Sequence, residues 1–369
     1  MAKRHFLQQS HKFVAKKHPL AGRFMSEKLD GQRAYWDGGI SRGMIKREVP
    51  WANNVGDYRY TGPIYSTGLW SRYGNVIHAP AWFLDFLPPF PLDGELWVDR
   101  GKHQECRKAI SPLIPDDLKW EKVKFIVFDS PAYESLFYPS VIDIPNFHKE
   151  ITSDCLRWIG SRGAKNLVTL ETPYAATYDM LGAMGQWNKQ IILLPQVLLS
   201  TNRSEAREQY EAMLSEVLRL GGEGLVTRDP LSPYVAERVH HCLKHKPFND
   251  SEATVIGYVT GKETDKGSKL LGLMGSMIVG WNGHIFQLSG FTDSERILTS
   301  INKEMNHETP FDARKDAYEW ACNNPGEITP HGIIAVNFPR GSKVTFKYRE
   351  LTDDGIPKEA VYLRKREVE

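Results

Sequence analysis

The chain has 369 residues, of which 11% are aromatic and 25% charged, and its formal net charge at pH 7 is +2. This is the composition of an ordinary folded protein with room for two domains, and it excludes a disordered or polycationic chain. Because the net charge is small, any contact with nucleic acid must come from local basic patches.

Short β-like segments alternate with turns and helices over the first two thirds of the chain. The basic segment 1–23 is predicted to be a solvated arm or helix, with a phosphate-contacting face as the alternative. Strands are expected beside Gly, Pro or Asp turn signals, over 23–29, 33–36, 94–98, 125–128 and 224–227. Helices are predicted over about 148–159, and from an N-cap at Ser204 to a stop at Gly221.

The character of the sequence changes near residue 248. Strands are predicted over 253–259, 274–279, 285–288, 343–348 and 360–364, with a short helix opened by the capping box of Thr292 and Glu295. Short strands with one helix suit a small β-barrel. We therefore expect two domains, 1–248 and 249–369.

Cysteine usage and hydropathy indicate the compartment. The four cysteines form no CxxC pair, so we expect reduced thiols and no zinc site. No run of about 18 apolar residues predicts a membrane span, and the basic N-terminus lacks the apolar core of a signal peptide. A cytoplasmic protein without membrane contact is expected.

The most informative segment is 28–33, which reads Lys-Leu-Asp-Gly-Gln-Arg, the pattern KxDGxR. An unperturbed lysine has a pKa of about 10.4, so only about one in a thousand is unprotonated near neutral pH. A nucleophilic Lys28 therefore needs nearby cations, a metal or desolvation. The chain offers Arg33, Arg72, Lys244, Lys246 and a metal held by Glu223. Without such partners, Lys28 would be an exposed turn lysine.

Further segments with suitable chemistry follow in order, at 71–75, 93–97, 125–129, 223–226 and 243–246. Arg72, on a glycine turn, suits a phosphate or a ribose edge. Glu95, at a strand start, can accept hydrogen bonds from ribose hydroxyls or reach a metal. Phe128 can stack on a base, although a strand phenylalanine is more often part of the core.

The last two of these segments suit a metal and a phosphate. Glu223 lies beside a glycine and is suited to a hard divalent cation. Lys244 and Lys246 alternate along a strand, so both ammonium groups can point at one phosphate. Each segment alone is an ordinary turn or strand. Their occurrence in one order indicates a nucleophilic lysine acting on a nucleotide phosphate.

With these motifs the chain resembles the covalent nucleotidyltransferase superfamily, most closely the ATP-dependent DNA ligases of the short, phage-type, two-domain form. Motif I is matched by Lys28, Asp30, Gly31 and Arg33, and motifs Ia, III, IIIa, IV and V by 71–75, 93–95, 128–129, 223–226 and 243–246. The barrel segments 272–279 and 344–357 also resemble those ligases. The chain departs from the pattern in its final motif, at 364–369, and in long insertions at 42–68 and 130–222.

The resemblance implies an α+β fold. An adenylation (nucleotidyltransferase) domain with antiparallel sheets and flanking helices would be followed by a C-terminal OB-fold β-barrel. It implies an enzyme, a DNA ligase (ATP), that seals nicks between a 5′-phosphate and a 3′-hydroxyl through lysyl-AMP and an adenylylated 5′-phosphate. ATP and Mg²⁺ would be its cofactors and nicked double-stranded DNA its partner, with the chain a monomer in the cytoplasm, or in the host cytoplasm if phage-encoded.

The resemblance also implies a role for each site residue. Lys28 would be the catalytic nucleophile and Arg72 would meet the nick phosphate. The nucleotide would be bound by Glu27, Arg33, Glu95, Phe128, Glu223, Lys244 and Lys246. Of these, Glu95 and Glu223 would also hold the metal.

Two alternatives stay open at the level of sequence. An RNA ligase or an mRNA-capping guanylyltransferase shares KxDG and most later motifs, although the 71–75 segment and the glycine-rich barrel pattern favour a DNA ligase. A non-catalytic nucleic-acid-binding protein built from a degenerate transferase would lack the nucleophile or the phosphate lysines, and this chain lacks neither.

Overall fold

The computed structural model describes residues 6–53, 59–136, 157–184, 188–264, 267–301, 308–352 and 354–365. The chain divides into two compact units, Met1–Lys246 and Pro247–Glu369. Both units combine helices with sheets, so the mixed α+β class predicted from the sequence is confirmed. Among the described residues, no helix has both the length and the apolar character needed to cross a membrane.

Unit 1 contains two five-stranded sheets. Its strands are β1 (Gln9–Lys12), β2 (Phe24–Glu27), β3 (Gln32–Asp37), β4 (Leu69–Ser71), β5 (Pro91–Trp97), β6 (Lys124–Asp129), β7 (Ile191–Leu193), β8 (Val197–Leu198), β9 (Leu225–Arg228) and β10 (Arg238–His245). The first sheet has the order β1-β10-β9-β2-β8 and the second β4-β3-β5-β6-β7. Most neighbours are antiparallel; β1 with β10 and β6 with β7 are parallel.

Helices cover these sheets. They are α1 (Ala81–Leu84), α2 (His103–Ile110), α3 (Asp117–Trp120), α4 (Tyr174–Ala183) and α5 (Arg203–Arg219). The N-cap of α5 is Asn202, whose side chain accepts hydrogen bonds from two backbone amides, so the prediction of Ser204 as the cap was wrong. Gly221 ends the helix with a φ of 78°, as expected of a glycine stop. Of the helix predicted over 148–159, residues 148–156 lie outside the described residues, and 157–161 are helical.

The N-terminal segment was predicted wrongly. Instead of forming a solvated arm or helix, β1 pairs in parallel with β10 at the edge of the first sheet. Phe6, Leu7 and Phe13 are buried around it. The many charges of this segment concealed three large apolar side chains, and burial of such side chains decides whether a segment docks. Residues 1–5 lie outside the described residues.

The 42–68 insertion packs against the second sheet. Its Trp51 is buried and makes edge-to-face contacts with Tyr35 of β3 and Trp70 of β4, at ring-centre distances of 5.9 and 6.2 Å. Such aromatic pairs bury large apolar areas in a defined geometry. The described part of the insertion therefore belongs to a small core of its own beside β3 and β4.

Unit 2 contains β11 (Asn249–Thr260), β12 (Met274–Trp281), β13 (His284–Leu288), β14 (Leu298–Ser300), α6 (Pro310–Asn323), β15 (Ile333–Ala335), β16 (Lys343–Tyr348) and β17 (Val361–Lys365). One sheet has the order β13-β12-β11-β16-β17, and an isolated parallel bridge joins Ser289, after β13, to Val361. The strand predicted over 343–348 is β16 of this sheet.

The fourteen-residue helix α6 was not predicted. The sequence contains a signal for this helix, a threonine followed by a proline at 309–310. In the structure Thr309 is the N-cap, and its hydroxyl accepts a hydrogen bond from the Asp312 amide. The short helix predicted after Thr292 is a 3-10 turn over Ser294–Arg296.

Candidate active site

Lys28 lies where the chain passes from one sheet of unit 1 to the other. β2 of the first sheet ends at Glu27, and β3 of the second begins at Gln32. The turn between them fits tightly, since a Cβ added at Gly31 would lie 2.2 Å from the carbonyl oxygen of Leu96. The Lys28 amide donates to the Gly224 carbonyl at 2.8 Å. The KxDG glycine is thus required by close backbone approach.

Three neighbouring strands bring Lys28, Glu223 and Lys246 together. In the first sheet, Glu27 of β2 is opposite Leu225 of β9, which is opposite His245 of β10. The residues next to these positions therefore meet at one end of the sheet. The Glu223 carboxylate pairs with both ammonium groups, through Oε2 with Lys28 and through Oε1 with Lys246.

This bridge is largely shielded from solvent. The Glu223 side chain is 7% exposed, and the two lysines are 23% and 20% exposed. Gly224 next to it has a φ of 146°, and an added Cβ would lie 2.0 Å from the His245 carbonyl oxygen. Only glycine fits there, which explains the Glu-Gly pair of motif IV.

Lys244 lies in β10, which ends at His245, and Lys246 is the residue after the strand, so alternation predicts a shared face for the two lysines. Cys242, two residues earlier on the same face, lines the cavity described below. Leu243 is buried in the core on the other face, and His245 Nδ1 hydrogen-bonds the Tyr210 hydroxyl there at 2.6 Å. The opposite face of the strand is therefore anchored by packing, which orients the lysine face.

A cavity of about 130 Å³ lies beside Lys28 in unit 1. The predicted site residues that line it are Glu27, Lys28, Arg33, Glu95 and Phe128. Its lining also includes residues that sequence reasoning missed, namely Gln8, Ser10, Arg228 and Cys242. Gln8 and Ser10 come from the N-terminal segment, whose docking was not foreseen.

Arg33 is held by a buried carboxylate. Both Asp93 oxygens accept from its guanidinium at 2.5 Å, and the Tyr234 hydroxyl donates to the same carboxylate at 2.7 Å. Its guanidinium lies 4.6 Å from the centre of the Phe128 ring. Although burial disfavours the charge, Asp93 raises the pKa of Arg33 above its ordinary value. The arginine is therefore a fixed cation beside the predicted base-stacking ring.

Glu95 is opposite Arg33 in the β3–β5 pair. Burial raises the pKa of Glu95 to about 7, against the lowering effect of Lys28 and Arg33. A bound cation would stabilise the ionised form of such a carboxylate.

The carboxylates provide only part of a metal site. Within the described ranges, no group of three or more His, Cys, Asp or Glu side chains is arranged to hold a metal ion. Glu95 and Glu223 fit Mg²⁺ in a narrower sense, because this ion is commonly held by one or two carboxylates together with substrate phosphates. Both Glu223 oxygens are paired with lysines, so a metal there would have to displace an ammonium group.

The Glu27 carboxylate at the cavity is bound by an arginine from another part of the chain. Arg100 donates to its two carboxylate oxygens at 2.8 and 2.6 Å. Sequence reasoning missed Arg100, since nothing in the segment 99–103 marks it as a partner of residue 27. Close to it, His103 Nδ1 lies 3.5 Å from Asp30.

Phe128 is supported by a second buried ion pair. Asp129, the next residue, pairs with Arg228 of β9, whose guanidinium lies 3.8 Å from the centre of the Tyr174 ring. The Tyr174 hydroxyl donates to the Phe128 carbonyl at 3.1 Å. Val226 and Arg228 both line the cavity. Because side chains alternate along a strand, a cavity-facing Val226 would have predicted the same orientation for Arg228, two residues later in β9.

Arg72 is exposed on the turn after β4. Its guanidinium lies 4.7 Å from the Tyr73 ring centre and donates to the Tyr73 hydroxyl at 2.7 Å. The turn is set by Gly74, with a φ of 75°, where an added Cβ would lie 2.2 Å from the Trp51 carbonyl oxygen. Arg72 is available to a large ligand at the surface.

Comparison with known proteins shows what this chain is similar to. No protein-family model matches the chain. A DNA ligase of Haemophilus influenzae is 26% identical over 349 residues, which are 94% of this chain and 88% of that protein. A solved structure described as "DNA binding with a minimal scaffold: Structure-function analysis of Lig E DNA ligases" is 25% identical, with a TM-score of 0.60 and 98% of both chains covered. The chain is therefore similar to DNA ligases over nearly its whole length.

A second solved structure agrees with this chain in fold alone. It is described as "Pmar-Lig_PreS3", is 16% identical and has a TM-score of 0.59, with 98% of this chain and 68% of that chain covered. The resemblance to DNA ligases drawn from the KxDG motif and its successors is confirmed by these similarities. In this chain the motif lysine lies at the cavity, paired with the motif IV glutamate.

Proposed function

We propose that this DNA ligase seals nicks in duplex DNA, using ATP and Mg²⁺, through an adenylate carried by Lys28. The observation that carries the proposal is the bridge of Glu223 between Lys28 and Lys246 beside a cavity lined by Arg33 and Phe128. A lysine, a set of fixed cations and an aromatic ring match the amine, phosphate and base chemistry of an adenylate.

In the first step the Lys28 ammonium gives a proton to Glu223, and the resulting amine attacks the α-phosphorus of ATP. The N–P bond forms as the bond to pyrophosphate breaks, and the nitrogen loses its second proton to solvent, which leaves a phosphoramidate. Lys246 and Lys244 bind the α-phosphate, and Glu223 orients the attacking amine by accepting its hydrogen bond. In-line phosphoryl transfer depends mainly on positioning and charge neutralisation, which this arrangement supplies. When bound by Glu95 and Glu223, Mg²⁺ would neutralise phosphate charge.

The later steps use the same site. AMP passes from Lys28 to the 5′-phosphate of the nick, and the 3′-hydroxyl then displaces AMP and joins the strands. Arg72, exposed on its turn, meets the nick phosphate. Glu27 contributes to nucleotide binding through its backbone, because Arg100 occupies its carboxylate. Arg33 and Glu95 face the ribose, and Phe128 stacks on the base.

We assign unit 1 as the adenylation domain, with 1–248 as its proposed bounds, and 249–369 as an OB-fold domain. The support for the OB fold is the strand order β13-β12-β11-β16-β17 together with the parallel bridge between Ser289 and Val361. A five-stranded Greek-key sheet whose end strands meet is the pattern of that fold. Of the segment 364–369, in which the final motif was sought, residues 366–369 lie outside the described residues.

The nucleophile is tested by covalent labelling. The ligase is incubated with α-labelled ATP or α-labelled GTP, and the label on the protein is measured after denaturing electrophoresis. We expect label from ATP and little from GTP, with none on Lys28→Ala. Lys119→Ala, an exposed lysine paired with Asp116 at 2.9 Å, should label like the unaltered chain. Label retained by Lys28→Ala would refute the assignment.

The substrate is tested by sealing. Nicked DNA should be joined faster than nicked RNA, because the motifs and relatives indicate a DNA ligase. Lys28→Ala should keep part of its sealing activity on a pre-adenylylated nick, since that step no longer forms the lysine adduct. Faster joining of RNA than of DNA would favour the RNA ligase alternative, and labelling by GTP would favour the capping enzyme.

A further inference from the structure

One short segment lies close to the acidic residues before and after Lys28 in the sequence. The segment 99–103 connects β5 to α2, and its Arg100 donates to both carboxylate oxygens of Glu27, at 2.8 and 2.6 Å. His103, three residues on, lies 3.5 Å from Asp30. Glu27 immediately precedes Lys28, and Asp30 follows it by two residues. The segment therefore holds the acidic residue before the nucleophile through Arg100 and places His103 close to the acidic residue after it.

That segment is itself fixed to the core. The helix α2, which begins at His103, buries Cys106, Ala109 and Ile110. The Cys106 thiol donates to the Leu96 carbonyl of β5 at 3.2 Å. Groups supported in this way hold a geometry better than groups on a free loop.

The held carboxylate also touches the residue before Glu223. A Cβ added at Gly222 would lie 2.8 Å from Glu27 Oε1, so the carboxylate occupies the space beside that glycine. Glu223, the next residue, pairs with Lys28 and Lys246. A shift of the Glu27 carboxylate would therefore displace Lys28, the next residue in the chain. It would also displace Gly222 and, with it, Glu223, the partner of Lys28.

The geometry differs from that of an ordinary surface ion pair. Arg100 and Glu27 are 31% and 14% exposed, and the two parallel hydrogen bonds fix direction as well as distance. The carboxylate compensates the Arg100 charge, which argues against a role for this arginine as a phosphate ligand. Its position suits the support of another residue.

We propose that Arg100 is a positioning residue for adenylation: through Glu27 it holds Lys28 and Glu223 in the geometry needed to attack ATP. This inference rests on the proposed function, because it concerns the step in which Lys28 is adenylylated. A misplacement of about 1 Å at such a site can cost on the order of a hundredfold in rate. The first step should therefore depend on Arg100 far more than the last step does.

The test separates these two steps. Single-turnover labelling by α-labelled ATP measures adenylation, and joining of a pre-adenylylated nick measures the last step, for Arg100→Ala, Arg100→Lys, Glu27→Gln and the double variant Arg100→Ala/Glu27→Gln. Arg207→Ala is the matched control, since Arg207 pairs with Glu211 at 2.9 Å on the surface of α5.

We expect Arg100→Ala to lower the adenylation rate by roughly ten- to a hundredfold while joining of the pre-adenylylated nick changes less than about threefold. The adenylation rate of Arg100→Lys should lie between those of Arg100→Ala and the unaltered chain, because lysine keeps the charge and loses the bidentate contact. If Arg100 acts through Glu27, the double variant should be no slower than the slower single variant, whereas independent effects would multiply. Arg207→Ala should match the unaltered chain in both assays.

Equal losses in both assays, an unchanged adenylation rate, or multiplying effects in the double variant would each overturn the inference about Arg100. None of these results would affect the proposed function, provided that the unaltered chain labels with ATP. Absence of label on the unaltered chain would overturn the proposed function, and this inference with it. Joining of the pre-adenylylated nick also shows that each variant is folded.

Discussion

At the scale of single residues, the Glu223 carboxylate is the group on which the site depends. It is 7% exposed and compensates two ammonium groups at once. Breaking a buried pair by removal of one partner commonly costs about 3–5 kcal/mol, because the remaining charge is left uncompensated. Here two lysines would be left close together, although each is about a fifth exposed and can be partly solvated.

The first prediction at this scale concerns Glu223→Gln. In buffer with a chelator and no nucleotide, we expect this variant to lose about 2–3 kcal/mol of unfolding free energy, because neither lysine keeps its counter-charge. Glu211→Gln, which removes the charge of an exposed pair with Arg207, should change stability by less than about 1 kcal/mol. Thermal unfolding measures both. Equal stabilities for the two variants would show that the bridge is not a folding contact.

At the scale of elements, the turn between β2 and β3 decides where the nucleophile is placed. It carries the chain from one sheet to the other within four residues, 28–31. A turn this short leaves Gly31 against the β5 backbone, where its missing side chain makes room for the Leu96 carbonyl. The glycine of KxDG therefore allows the turn to approach β5, the neighbour of β3 in the second sheet.

The prediction at this scale is that Gly31→Ala destabilises the protein by roughly 1–3 kcal/mol and lowers the rate of the proposed adenylation. The added methyl carbon would lie 2.2 Å from the Leu96 oxygen, so the turn must move and carry Lys28 with it. Gly62→Ala is the control, since a Cβ there meets nothing within 4 Å. Unfolding temperature and labelling rate are measured together. A Gly31→Ala variant with normal stability and labelling would contradict this account of the turn.

At the scale of the whole molecule, each unit has a core of its own. The buried cluster of unit 2 is drawn from residues 253–362, among them Tyr258, Met277, Leu288 and Phe346, and the remaining clusters lie within unit 1. A segment with its own buried apolar core can fold independently. This holds whatever role unit 2 has in binding DNA.

We therefore predict that the isolated segment 247–369 folds cooperatively. Its thermal unfolding, followed by circular dichroism, should be a single sigmoidal transition. Leu288→Ala in the isolated segment should lower that transition, since removal of a fully buried leucine side chain costs about 2–5 kcal/mol. A segment without a cooperative transition would show that unit 2 depends on unit 1 for its fold.

The sequence by itself determined the chemistry and most of the strands. KxDGxR, the Glu-Gly pair at 223–224 and the alternating lysines at 244 and 246 depend on local spacing and turn residues, which a linear pattern contains. The α+β class and the resemblance to DNA ligases followed from them and are confirmed. The capping signal of α6 was equally local, but it was overlooked.

Only the tertiary structure decided which residues meet. The pairing of Glu27 with Arg100 joins positions 73 residues apart, and the bridge at Glu223 reaches Lys28 across 195 residues. Gln8 and Ser10 line the same cavity from the N-terminal segment. Such contacts are set by strand order and close backbone approach, for which local periodicity carries no information. Burial of Phe6, Leu7 and Phe13 likewise outweighed the charge of the N-terminal segment, because docking depends on the apolar area removed from water.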